Sequence, residues 1–588
     1  MSRLQRPAGS AARHTGKARY IVQFRDAPVP LYTGGVSGLQ ATSPRVTGAR
    51  HLDVRAPRVR AYVRYLDERH TNFLRQSREL LHRTLAPRFR YHYALNGMSM
   101  SLTRAEAMRL ARLPQVLSVQ PVRYYRPAAA TAIPASAADT AAGRAWIGAP
   151  AVWAEKTFSN TDNEGEGIVV ADLDTGINSG NASFATTGPK DGFVTQNPLG
   201  TGKYLGVCDP DNASDGTLAD AKNWPQTYNA TFHCNDKLIG AYTYTLASGN
   251  DPDSPEDSEG HGSHTASTIA GNFVDVDLTS LGLTVPISGV APHANLIVYD
   301  VCDPTDLCGS DASVAAVDQA IKDYATLADG TGFKGMVMNY SIGGGSDPYN
   351  DPVEQAFLSA VTVGIYVSTS GGNGGPGNTL LGDPSELYPV EHLAPWVAST
   401  AASTHDGSFS GNNVTGFTGG DAATLANVPT SITGLGITGP LPLSDTVYAG
   451  DGSYSYVNYP SDAAYSTSNT YTLSGENYAD PTQFTATQAV AECLYPFPPG
   501  TFAVNTLVVC DRGDIPLVDK ADNVKSGDAG GIVIVSQSGT ALISEPYESP
   551  GTMIDNADGT NLESWLKATA ANTSAPPAQA DITGTTLT

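Results

Sequence analysis

No stretch of this chain is apolar for the roughly 18 residues that a membrane-crossing helix needs, and Met1 to Tyr20 contain no apolar signal-peptide core. Export is therefore not written in the first twenty residues; either a leader precedes this start or the protein stays inside the cell. Cysteine is scarce, 6 in 588 residues. No Cys-x-x-Cys pair occurs, which removes the commonest zinc and redox motifs. The six fall instead as near pairs, Cys208 with Cys234, Cys302 with Cys308 and Cys493 with Cys510. An even count in loop-rich sequence favours disulfides and an oxidising compartment over buried thiols. Beyond residue 130 basic residues become rare, because the first 130 residues hold about 23 of the 35 Lys and Arg but only about 6 of the 58 Asp and Glu. The basic charges of this head are scattered over a periodic, globular pattern, which counts against a nucleic-acid-binding tail. A basic domain docking onto an acidic body of the same chain suits the split better.

The length exceeds one compact core, and 60 Gly with 39 Pro imply many turns, so several domains are expected. From Ala18 to about Arg126 a strand (Tyr20 to Phe24), an Arg-rich helical stretch near 57–84, a second strand, a short helix and a last strand make a small α+β unit. Pro127 to Gly143 is an Ala/Ser/Thr/Pro stretch that buries nothing and reads as a linker. From about Trp146 to Asp406, apolar runs at Ile168–Ala171, Leu296–Tyr299, Met336–Met338 and Ile365–Val367 alternate with helical patterns. One of these carries Val314, Val317, Ile321 and Tyr324, and another opens at Asp351-Pro352. That alternation predicts a doubly wound α/β domain with its site at the carboxyl ends of the strands. Beyond about Thr433 the helical pattern fades and a β-rich domain is expected.

Asp174 closes a buried strand and opens Asp-Thr-Gly-Ile, where a carboxylate at a strand end can hold a histidine. Asp172 is the weaker candidate, since it lies within the strand. A lone Asp-Thr-Gly is otherwise a turn, and an aspartic protease would need a second copy, which this chain lacks. Gly260-His261-Gly262-Ser263-His264-Thr265-Ala266 sets His261 at a helix start, with His264 a packed or hydrogen-bonded helix residue. Two histidines beside Asp257 and Glu259 could instead ligate a metal, but no His-Glu-x-x-His motif supports that. Asn339 to Gly344 and Ser368 to Gly377 are Gly-rich strand ends.

Taken in order, Asp-Thr-Gly, Gly-His-Gly-Ser-His-Thr-Ala, Asn-Tyr-Ser-Ile-Gly-Gly and Ser-Gly-Gly-Asn-Gly-Gly-Pro-Gly resemble the subtilisin-like serine proteases, the subtilases. Tyr93 to Ser99 with Leu113 to Val119 is similar to the family's inhibitory propeptide. The Cys510-Asp511-Arg512-Gly513 run, followed by Lys520-Ala521 and Gly530-Gly531, is similar to its protease-associated domain. The resemblance implies a disordered start (1–17), propeptide (18–126), linker and processing region (127–145), catalytic domain (146–432), protease-associated domain (433–570) and a return toward the catalytic domain (571–588). It implies catalytic Asp174, His261 and Asn373, with Ser341, Ile342, Gly343, Ser370 and Gly371 binding substrate. It further implies a secreted endopeptidase acting on proteins and peptides, inhibited by its own propeptide, with no nucleic-acid or membrane partner. No cofactor is expected. Calcium is compatible with the acidic loops at 209–215 and 251–253, which read first as solvated loops. The family's Gly-Thr-Ser-Met nucleophile segment has no match, and Ser538-Gly539-Thr540-Ala541 comes nearest with Ala in the serine's place. The expectation is a truncated, inactive piece of a protease; the alternative is a pseudoprotease acting as a protein-binding module.

Overall fold

The computed structural model describes residues 16–127, 143–154, 163–212, 228–248, 251–252, 254–278, 283–304, 307–345, 347–372, 390–403, 409–455, 485–513, 515–538, 542–543, 545 and 547–587. It divides into two compact units. One comprises Met1–Ala128, Pro150–Val274 and Ser288–Ser403, the other Ala129–Ala149, Asp275–Ile287 and Thr404–Thr588.

The first unit begins with strands β1 (Ala18–Phe24), β2 (Pro87–Tyr91), β3 (Gly97–Leu102) and β4 (Val116–Pro121), paired antiparallel in the order β2-β3-β1-β4. Helix α1 (Pro57–Leu81) buries Val59, Tyr62, Leu66 and Phe73. Their steps of three, four and seven residues make the single apolar stripe of an otherwise Arg-rich helix. Helix α2 (Arg104–Leu110) starts on a capping box, Thr103 with Glu106. A two-residue strand, β5 (Tyr124–Tyr125), follows.

The larger part of the unit is a seven-stranded parallel sheet. Its strands are β6 (Ile168–Asp174), β7 (Leu205–Gly206), β8 (Leu238–Thr243), β9 (Asn295–Asp300), β11 (Gly335–Tyr340), β12 (Tyr366–Ser370) and β13 (Ala398–Thr400), in the order β13-β12-β11-β6-β9-β8-β7. A short strand, β10 (Cys308–Gly309), lies outside that sheet. Helices α3 (His261–Ala270), α4 (Ser310–Leu327) and α5 (Pro352–Val363) intervene. β6 and β9 are buried over nearly their whole length, which is why they read as continuous apolar runs. The α5 start follows from Asp351, whose carboxylate accepts the Val353 N–H at 2.8 Å, and from Pro352 in the first turn.

The basic head docks on α4 within this unit. One carboxylate oxygen of Asp318 accepts the backbone N–H groups of His92, Tyr93 and Ala94 at 2.9, 2.6 and 2.9 Å. Asp311, fully buried, takes the Ser99 hydroxyl at 2.6 Å and lies 3.4 Å from the Arg19 guanidinium.

The second unit holds another seven-stranded sheet. It is built from β14 (Val414–Thr418), β15 (Gly434–Leu435), β16 (Leu441–Tyr448), β17 (Leu507–Asp511), β18 (Gly531–Val535), β19 (Gly551–Ile554) and β20 (Gln579–Ile582), in the order β14-β20-β16-β17-β18-β19-β15. β14, from the 146–432 span, and β20, from the 571–588 stretch, both pair within it. The helical pattern does not fade here. Helices α6 (Leu517–Ser526) and α7 (Asn556–Ala571) are present, the latter burying Leu562, Trp565 and Leu566. Only those three large residues mark α7 amid Ser, Thr, Asn and Ala, a stripe too thin to stand out in the sequence. All three near pairs of cysteines are disulfides, and no cysteine is free.

Candidate active site

Side chains two apart on a strand share a face, so β6 presents Asp172 and Asp174 together at its carboxyl end. Both are fully buried. Asp174 Oδ1 accepts from the His261 ring nitrogen Nδ1 at 2.6 Å and from the Thr175 N–H at 2.8 Å. Asp172 instead accepts from the Asn339 amide on neighbouring β11 at 2.9 Å and from the Thr265 hydroxyl at 3.2 Å. Burial, and then the charge of Asp174, hold the Asp172 carboxyl well above the usual carboxylate range. The two carboxylates are thus distinguished by what they touch: one holds the imidazole, the other ties adjacent strands together.

His261 opens α3. Gly260 ahead of it has φ 109°, and the loop is gathered by Asp257, whose carboxylate accepts from the N–H groups of Glu259, Gly260 and Ser263. Gly262 sits so close to the Asp-Thr-Gly turn that a Cβ there would fall 2.2 Å from the Gly176 carbonyl oxygen. The Thr175 hydroxyl accepts the Gly262 N–H at 2.8 Å. These contacts bring the two motifs together, glycine at 262 leaving the backbones room to meet. A carboxylate only accepts, so the proton shared with Asp174 belongs to Nδ1 and Nε2 is left as the outward nitrogen. Burial works against a charged imidazole, but the facing Asp174 outweighs it and raises the His261 pKa to about 9. His264, one turn on, is exposed.

At the carboxyl end of β11, Ser341, Ile342 and Gly343 form an extended edge. The segment at 124–127 lies against it antiparallel, with Pro127 opposite Ile342 and the Gly343 N–H donating to the Arg126 carbonyl at 2.9 Å. β5 pairs on its other side with β10, Tyr125 facing Cys308 and Tyr124 facing Gly309. An extended peptide therefore already runs between two edges of this site. A Cβ on Gly343 would approach Glu391 Oε2 at 2.9 Å and the Arg126 carbonyl at 3.5 Å, which explains glycine there. Ser370 ends β12, and Gly371 is held by backbone bonds to Thr400 and Glu391. Asn373 lies outside the described residues.

Three residues beneath this edge carry no motif. His392, buried and at φ 55°, donates from Nδ1 toward Glu354 Oε1 at 2.6 Å and from Nε2 toward the Ile342 carbonyl at 2.8 Å. Glu391 accepts the Gly344 N–H at 2.9 Å. In sequence, Glu354 reads as a carboxylate suiting the first turn of α5. Nothing there shows that it is buried and paired.

Residues 165–482 match the Peptidase_S8 model, described as the subtilase family. Subtilisin-like protease SBT1.3 of Arabidopsis thaliana is 28% identical over 499 residues, covering 82% of this chain and 52% of that protein. SBT1.6 of the same plant is 26% identical over 514 residues, 84% of this chain and 54% of its own length. SBT2.1 is 29% identical over 422 residues, 68% and 43%. The chain spans about half the length of the curated relatives it matches. The family match extends over more than half of the chain and takes in β6, α3 and the 341–371 strand ends; the chain belongs to the subtilase family of serine proteases.

Proposed function

We propose that the parent protein is a secreted serine endopeptidase, made as a zymogen, whose reaction centre uses Asp174 and His261 with a serine that these 588 residues do not supply. Asp174 keeps one His261 proton on Nδ1, so in the neutral ring Nε2 is free to take the serine proton as the oxygen attacks a peptide carbonyl. The same nitrogen then returns a proton to the departing amine. Asn373 donates to the tetrahedral oxyanion, and Ser341 to Gly343 with Ser370 and Gly371 bind the substrate as an added strand. The single observation carrying this reading is the 2.6 Å contact from His261 Nδ1 to Asp174 Oδ1 at the end of a parallel strand. No cofactor enters the proposed reaction.

The antiparallel lie of 124–127 along Ile342 and Gly343 supports residues 18–126 as an intramolecular inhibitor, released by cleavage within 127–145. The three disulfides support an oxidising, extracellular setting. Among the described residues no helix is long and apolar enough to cross a membrane. Residues 433–570 are read as a protease-associated domain on the strength of Cys510 to Gly513 and the strand that follows.

The test is turnover of a fluorescent, unfolded protein substrate. The 588-residue chain is expected to show none, and the longer gene product to cleave it. H261A should lower that turnover by about 10⁴–10⁶, the scale measured for triad members in a subtilisin. N373A should lower it by about 10²–10³, again a subtilisin magnitude. Hydrolysis by the longer product that survives H261A would overturn the assignment.

A further inference from the structure

At the end of the parallel sheet away from Asp174, four side chains with no part in the proposed reaction converge. Glu164 and Glu166 lie just ahead of β6 and His293 just ahead of β9, and these strands are neighbours, so their amino ends deliver all three to one place. The backbone joins them too, the His293 N–H donating to the Glu164 carbonyl at 2.9 Å. His293 is only 8% exposed. Its Nδ1 stands 2.7 Å from Glu166 Oε1 and 3.1 Å from Glu164 Oε2, while Nε2 stands 2.9 Å from Asp191 Oδ2. Phe193 stacks flat on the ring at 3.6 Å and fixes its plane.

Asp191 accepts a ring proton from Nε2, and a proton on Nδ1 satisfies the contact with Glu166; a metal ion taking the place of that Nδ1 proton would meet the ring lone pair and both glutamates. A lone pair facing two acceptors is repulsive unless a cation lies between them. Either a second proton or a metal ion can fill that role. The three candidate donor atoms lie within 4.8 Å of one another. Ligands held at 2.0–2.1 Å around tetrahedral zinc are about 3.4 Å apart, so small side-chain shifts bring the set into register. One imidazole nitrogen with carboxylate oxygens suits zinc, whereas calcium takes six to eight oxygens. The Asp191 contact is the outer carboxylate that metal-bound histidines characteristically carry.

We propose that Glu164, Glu166 and His293 form a structural site for a divalent transition-metal ion, zinc by the chemistry of its donors, with Asp191 orienting His293. The ion ties together the amino ends of two central strands. The length of β6 separates it from Asp174 by about 20 Å, so it acts on stability and not on the reaction. A second cluster, Asp67 with His70 and His92, serves as the control, because His70 there turns Nε2 to the Asn96 side-chain oxygen at 2.8 Å and not to a carboxylate.

The test uses the 588-residue chain, stripped by chelator and titrated with zinc chloride by calorimetry and with cobalt(II) by visible absorption. Wild type should bind one equivalent, with the spectrum of a tetrahedral cobalt site and a Tm that rises to a plateau at that stoichiometry. E164Q/E166Q should abolish this binding, D191N should weaken it about 10- to 100-fold, and D67N should leave it unchanged. D191N keeps every ligand, so it decides the question if the double variant fails to fold. A wild type that takes up neither metal, or binding unchanged in both E164Q/E166Q and D191N, overturns the proposal.

Discussion

Asp172 and Asp174 stand two residues apart on one face of β6, and pH separates what they do. The folded pKa of Asp172 is raised above its ordinary 3.8 by burial and by Asp174. The native state therefore binds more protons there than the unfolded chain, and stability falls as pH rises above about 4 toward the raised value. D172N keeps an acceptor for Asn339 and offers an N–H to Thr265, so it is expected to be neutral or stabilising at pH 7. Urea midpoints measured from about pH 4 to 8 should decline less steeply than in wild type. His261 has the same sign for a different reason, its folded pKa standing at about 9 against an ordinary 6.5. Its pairing with Asp174 contributes fully below about pH 6.5, and the contribution is lost as pH rises through about 9. D174N should bring the NMR titration of His261 down to about 6.5 or lower; a midpoint remaining near 9 would contradict the role given to the carboxylate. The Asp-Thr-Gly turn singles out Asp174 in the sequence, whereas no motif marks the contact of Asp172 with Thr265 of α3.

At the scale of elements, the Ser341 to Gly345 edge rests on a pair that sequence does not announce. Burial opposes charge on His392, but Glu354 outweighs it and raises the pKa. This pair therefore contributes most below the ordinary histidine pKa and is lost as pH rises through the raised one. E354A leaves the buried imidazole without its partner and should cost about 3–5 kcal/mol, read as a lowered Tm. H392N retains a donor toward Ile342 and should cost less. Strands β6, β9 and β11 and helix α4 were legible because buried parallel strands and an amphipathic helix have sharp patterns. The exceptions were α7, with its thin apolar stripe, and the His392 contact, which joins residues far apart in the chain. W565A should cost about 3–5 kcal/mol through the cavity left in the second unit, followed by chemical denaturation.

Over the whole chain, the charge split announced a docked basic head, and Asp311 and Asp318 of α4 do bind it. Yet those acids accept from backbone N–H groups and a hydroxyl, and Tyr62, Phe89 and Tyr91 of the head share one buried apolar core with side chains of α4 and α5, none of which charge counting can foresee. D318A leaves three amide donors at 92–94 without their acceptor. Hydrogen exchange should accelerate at least tenfold across β2 and β3 while β6 and β9 keep their protection. Uniform acceleration would instead signal general unfolding.

The central claim is that His261, held by Asp174, activates a serine outside residues 1–588. Labelling the complete gene product with a fluorophosphonate probe and mapping the modified peptide tests it directly. The account predicts labelling at one serine beyond Thr588, lost in H261A. A labelled serine within the 588 residues, or labelling indifferent to H261A, would contradict it.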